Sequence, residues 1–144
     1  MPSSGEIHMQ QHNYLAILVA AIVAFLIGGP WYSPFLFAKQ WMAAHAHTPE
    51  DVAKMKADAP RAYAISFVAF LVMAAILQLL LNHLGVQTWR GGVLWGAHIW
   101  LGFAATIGLM ANVYSGKKFS VFVIDTGYQL VYLIAMGAIL GAWH

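Results

Sequence analysis

Residues 119–143 read FSVFVIDTGYQLVYLIAMGAILGAW, and this stretch decides the fold. It is long and apolar enough to cross a bilayer core, which takes about 20 residues. Its single charge is Asp125, about two turns from the start at ~3.6 residues per turn. An ionisable group in hydrocarbon is costly unless paired or neutralised, so it marks a functional site by default. The other four acids, Glu6, Glu50, Asp51 and Asp58, lie in the tail or the loops.

Three more stretches have the same character, at 13–33, 61–83 and 91–114. Of the 144 residues, 61% are hydrophobic and 8% charged. Soluble domains carry roughly 25% charged residues. The chain reads as an all-α integral membrane protein, a four-transmembrane-helix bundle. Residues 1–12 form a polar N-terminal tail, and 13–144 form a single domain. A formal charge of +2 gives no footprint for nucleic acid. The absence of cysteine excludes disulfides, thiolate metal sites and thiol nucleophiles. The first span lacks the basic flank and the cleavage site of a signal peptide.

Basic residues set the orientation. With the N-terminus outside, Lys39, Lys54, Lys56, Arg61, Lys117 and Lys118 are cytoplasmic, and Arg90 alone is outside. Both termini are then extracytoplasmic, as for a bacterial inner-membrane protein. Trp31, Tyr32, Trp41, Tyr63 and Tyr114 fall near the inner interface, where amphipathic rings anchor.

Between the first two spans, Thr48-Pro49-Glu50-Asp51 reads as the start of a short cytoplasmic helix that stops before Pro60. Thr48 supplies the cap, Pro49 suits the first position, and the acids favour the positive helix end. The segment carrying Trp41 reads as a helix extension or an interfacial helix. The loops at 85–90 and 115–118 are tight, which predicts antiparallel neighbours. Small residues recur at packing intervals: Ala16, Ala20, Ala24 and Gly28; Gly92, Gly96, Ala104 and Gly108; Gly137 and Gly141. Such stripes let helices approach in lipid. Three of them exceed the needs of a minimal bundle, which predicts a homo-oligomer.

At ~1.5 Å per residue, Asp125 lies about 9 Å along its helix. Ser66, Thr106 and the end of the first span come to the same level. There Pro30 and Pro34 remove two backbone donors and free the carbonyls of Leu26 and Pro30. Those carbonyls offer a hydrogen-bond partner to a protonated Asp125, or a shared cation site. Tyr128, Gln129 and Tyr132 follow Asp125 on one helix face. His98 falls near the level of Tyr132. Together with Trp31, Tyr32 and Ser33, these residues make a candidate substrate or proton site. The bland alternatives are an ion pair of Asp125 with Lys118 or Arg61, and interface anchoring by Trp31 and Tyr32. His8 with His12, and His45 with His47, fall on opposite sides of the membrane and make no single metal site. No metal or cofactor is expected.

The run Gly29-Pro30-Trp31-Tyr32-Ser33-Pro34, with Leu36, Phe37, Lys39 and Trp41, resembles the opening signature of a membrane family known as domain of unknown function 1761. Ile124-Asp125-x-Gly127-Tyr128, and the close from Met136 to Trp143, resemble its final segment. The resemblance covers about residues 13–143. It implies a compact four-span protein and no activity. It also implies a histidine where this chain has Gln129, so a histidine-mediated proton or metal role does not carry over. No soluble-enzyme motif is present. The leading expectation is a proton-coupled small-solute transporter or channel around Asp125, taking a small hydrophobic or cationic ligand. A lipid- or quinone-binding accessory module is the alternative. A small membrane enzyme using Asp125, Tyr128 and His98 is the third.

Overall fold

A computed structural model describes residues 12–144. The expected tail, His8 included, falls outside the described residues, apart from His12. Among the described residues, five of six α-helices and one π-helical segment make up four apolar rods long enough to cross a membrane; the sixth helix connects the first two. Their outward faces stay apolar, with Val68, Val72 and Ile76 each more than half exposed. A continuous exposed surface of this kind is stable in lipid rather than in water.

α1 spans Tyr14–Trp31. The Asn13 side chain caps it by accepting from the Ala16 N–H at 3.0 Å. The helix carries Pro30 in its last turn and closes with the Tyr32 N–H donating to the Gly28 carbonyl. A tight turn through Ser33 leads into α2, Ala38–His45. This is the segment carrying Trp41, a separate helix rather than an extension of α1, and the helix start at Thr48 belongs to the next span. It ends at Ala46, whose left-handed φ of 51° terminates the coil.

α3 runs unbroken from Pro49 to His83, 35 residues. The expected stop before Pro60 does not occur. Thr48 and Asp51 form the reciprocal capping box, with bonds of 2.9 and 3.2 Å. The coil then continues through Pro60, which is exposed. At ~1.5 Å per residue α3 is about 52 Å long, well beyond the ~30 Å hydrocarbon core. Its first turns therefore stand outside the bilayer, where water can satisfy the carbonyl that Pro60 leaves free.

The third span is α4, Trp89–Ile99, a π-helical segment, Trp100–Ala105, and α5, Thr106–Ser115. The fourth is α6, Phe119–Ala142. α6 is the centre of the molecule. α1 and α3 pack on it and on each other, and the third span packs chiefly on α6. Ala16, Ala20, Ala24, Ala74, Met136 and Leu140 form the sealed core of the α1/α3/α6 group. The turn from α3 to α4 does not make those two helices close neighbours, contrary to the loop-length expectation. Glycines draw α4 to α6 instead. A methyl on Gly92 would overlap the Gly137 carbonyl, and one on Gly96 or Gly141 would run into backbone across the seam. The small-residue stripes are thus used inside the chain: the α1 alanines are fully buried, and the glycines close the α4/α6 seam. They no longer argue for a second copy.

Candidate functional site

Asp125 sits half-buried on the seventh residue of α6. Two neutral donors reach it. The Tyr32 hydroxyl donates to its Oδ1 at 2.7 Å, and the Trp41 indole N–H donates to the same Oδ1 at 3.0 Å. No donor among the described residues reaches Oδ2. The only acid–base pair among them is His47 with Asp51, at 4.0 Å. The alternative of an ion pair with Lys118 or Arg61 is therefore not what the structure contains.

The backbone around Asp125 is clamped from two sides. The Trp31 indole donates to the Ile124 carbonyl at 3.0 Å, and the Trp100 indole donates to the Thr126 carbonyl at 2.7 Å. These carbonyls flank Asp125 on either side in sequence. Trp100 opens the π-helical segment. Such a bulge inserts one residue into the helix and re-aims its neighbours. Tyr128, one turn beyond Asp125, donates to the Ala24 carbonyl of α1 at 2.8 Å. Glycines make room for these rings. A Cβ at Gly28 would stand 2.8 Å from the Tyr128 hydroxyl, and one at Gly127 would stand 3.1 Å from the Trp31 ring.

The aromatic side chains form one continuous cluster. Tyr32 meets Trp41 edge-on at 6.0 Å and Tyr128 at 5.4 Å. Tyr128 meets Tyr132 at 4.9 Å, and Tyr132 meets Phe70 of α3 at 5.0 Å. On the other side of Trp41 stands His45, at 4.0 Å, with His47 stacked on it at 5.1 Å.

The predicted residues divide into two groups. Trp31, Tyr32, Asp125, Tyr128 and Tyr132 come together. Gln129 lies one turn from Asp125, with a buried side-chain oxygen that has no partner. Ser33 acts locally, its hydroxyl donating to the Pro30 carbonyl at 2.7 Å and its N–H to the same oxygen at 3.2 Å. The Pro30 carbonyl is thus occupied, and it is not a partner for Asp125. Ser66 is half-buried on α3. His98 and Thr106 stand apart. His98 is exposed, its Nδ1 lies 2.7 Å from the carbonyl of Leu94, and its ring stands beside Trp95. Thr106 is also exposed and donates to the Gly102 carbonyl at 2.9 Å. A track joining His98 to Tyr132 does not form, nor does an Asp125–Tyr128–His98 acid–base group. Both residues occupy the lipid-facing side of the third span, because the glycine seam turns the opposite face to α6.

Trp41 and Trp100 are the contributors that sequence reasoning missed. Trp41 reads as an interface anchor because of its depth. The signal that identifies it is its place seven residues after the Trp31-Tyr32-Ser33-Pro34 element, where α2 folds it back to Asp125. Among the described residues, no three His, Asp or Glu side chains converge as metal ligands do.

No curated protein and no solved structure matches the chain. A family model does, and its match includes both the Pro30–Pro34 turn and Asp125. The chain belongs to the family described as protein of unknown function (DUF1761), over residues 15–141.

Proposed function

We propose that this protein moves a small solute across the bacterial inner membrane in exchange with protons, and that Asp125 is the exchanging group. The observation that carries the reading is the asymmetry of its carboxyl. Both protein hydrogen bonds fall on Oδ1, and both come from neutral donors. Oδ2 can therefore gain or lose a proton, or a bound cation, without breaking either bond. An ionisable group kept in a membrane for structure is ordinarily paired, and no basic residue among the described ones pairs with Asp125. The clamped backbone on either side of Asp125 supports the same reading, because it fixes the group while its charge changes.

The reading is tested in proteoliposomes holding a pH-sensitive dye, challenged with small amines, carboxylates and neutral solutes. At least one class should change the internal pH in wild type and fail to do so in Asp125→Asn. Equal responses from the two proteins, or none from wild type, would refute it. The orientation proposed with it puts both termini outside, supported by six of seven basic residues lying on one side. Alkaline phosphatase joined after His144 should be active; an inactive fusion reverses the orientation.

A further inference from the structure

We infer that the ligand taken at Asp125 is an organic ammonium cation, carried by a free amine or by a lipid headgroup. The inference rests on the exchange reading above and specifies its ligand. The first ground is charge. Asp125 is the one acid within the membrane-spanning stretches, and no basic nitrogen among the described residues pairs with it. When ionised it calls for a positive partner, and the described residues supply none.

The second ground is the chemistry of the walls. Hard metal cations take six or more oxygen ligands, or keep their waters. Here Asp125 offers one free oxygen and Gln129, one turn along α6, a second, far short of such a set, and the other neighbours are rings: Trp31, Tyr32, Trp41 and Tyr128. Aromatic faces attract weakly hydrated organic cations, and tryptophan does so best. The Tyr128 and Trp31 polar atoms are already committed to backbone carbonyls, so these rings offer a ligand only their π-systems and edges. A carboxylate among such rings matches an alkylammonium group better than it matches a metal ion or a sugar.

The third ground is access. Asp125, Tyr32 and Trp41 are all half-buried, so the site reaches the surface of the chain. It does so about 9 Å from the start of α6 by helical rise. That depth is within reach of a lipid headgroup or of a solute entering from the loop side. Binding forms an ion pair at Oδ2; any proton held there leaves to water, and its O–H bond is the only bond that breaks.

Benzyltrimethylammonium is the probe. Its binding to the purified full chain is followed by tryptophan fluorescence, since Trp31 and Trp41 border the site. Wild type should bind it, and its uncharged carbon isostere should bind roughly tenfold more weakly or worse. Asp125→Asn, shown to be folded by gel filtration, should lose at least about tenfold in affinity for the cation. Trp31→Phe keeps a ring and should lose less. In vesicles, competition by phosphatidylethanolamine against a phosphatidylglycerol background identifies a headgroup as the source. Its absence identifies a free amine. Equal binding of cation and isostere, or undiminished cation binding by folded Asp125→Asn, overturns the inference. So does no binding by wild type. If proton movement in proteoliposomes still depends on Asp125 in those cases, the exchange reading stands and only the ligand class is wrong.

Discussion

Asp125→Asn keeps the oxygen that Tyr32 and Trp41 use, so the substitution should leave the fold intact. No basic residue loses a partner, because none is paired with Asp125. Asp125→Leu removes the acceptor from both donors. Each orphaned donor costs about 1–3 kcal/mol. Thermal unfolding in detergent should therefore rank wild type and Asn together and Leu well below. Collapse of the Asn variant would mean that the carboxylate charge itself holds the structure. At this scale Asp125 stood out in the sequence because a lone charge in an apolar run is rare. Its partners did not. Trp41 lies 84 positions away, and its aim depends on how α2 folds back, which no local pattern encodes.

The α4/α6 seam is the element-scale feature with the sharpest consequence. Gly92→Ala should destabilise the protein by several kcal/mol, since its methyl would overlap the Gly137 carbonyl and backbone cannot step aside. Gly102→Ala should be harmless, having nothing within 4 Å. Chemical denaturation of the two variants in mixed micelles checks the contrast; equal loss would place the seam elsewhere. The glycine spacing was visible in the sequence. Which helix it served was not, because an internal seam and a dimer face use the same residues. The start of α3 shows the opposite case. Its capping box is local chemistry, and Thr48-Pro49-Glu50-Asp51 was readable directly. The Thr48 backbone N–H, helped by its hydroxyl and by His47, holds the Asp51 carboxyl below the usual carboxylate range. A lowered folded-state pKa stabilises above the unfolded value and is lost as pH falls through the folded one. The advantage of wild type over Asp51→Asn should then be present above about pH 4 and fade as pH falls further, through the lowered folded-state pKa. A gap that instead grew in acid would contradict the box. The stop predicted at Pro60 failed because proline forbids one hydrogen bond, not a helix, where water can supply the missing donor.

On the scale of the whole molecule, hydropathy delivered the four spans, since lipid demands apolar, internally bonded segments. It could not deliver their arrangement. α6 lies at the centre with α1, α2 and α3 on one side and the third span on the other. That layout brings the end of α1, α2 and the π-helical segment to the same turn of α6, which is why three tryptophans converge on Ile124, Asp125 and Thr126. It also leaves His98 and Thr106 facing lipid, away from the site that their depth suggested. The central claim is that Asp125 offers an open, protonatable oxygen at this junction. Dicyclohexylcarbodiimide reads that property directly, because the apolar reagent adds to a protonated carboxyl within a membrane and leaves a stable mass tag. Intact-protein and peptide mass spectrometry of treated membranes should find an adduct on Asp125, and none on the folded Asp125→Asn protein. An unlabelled Asp125 in wild type, beside labelled Glu50 or Asp58, would contradict the account by showing the carboxyl closed or permanently paired.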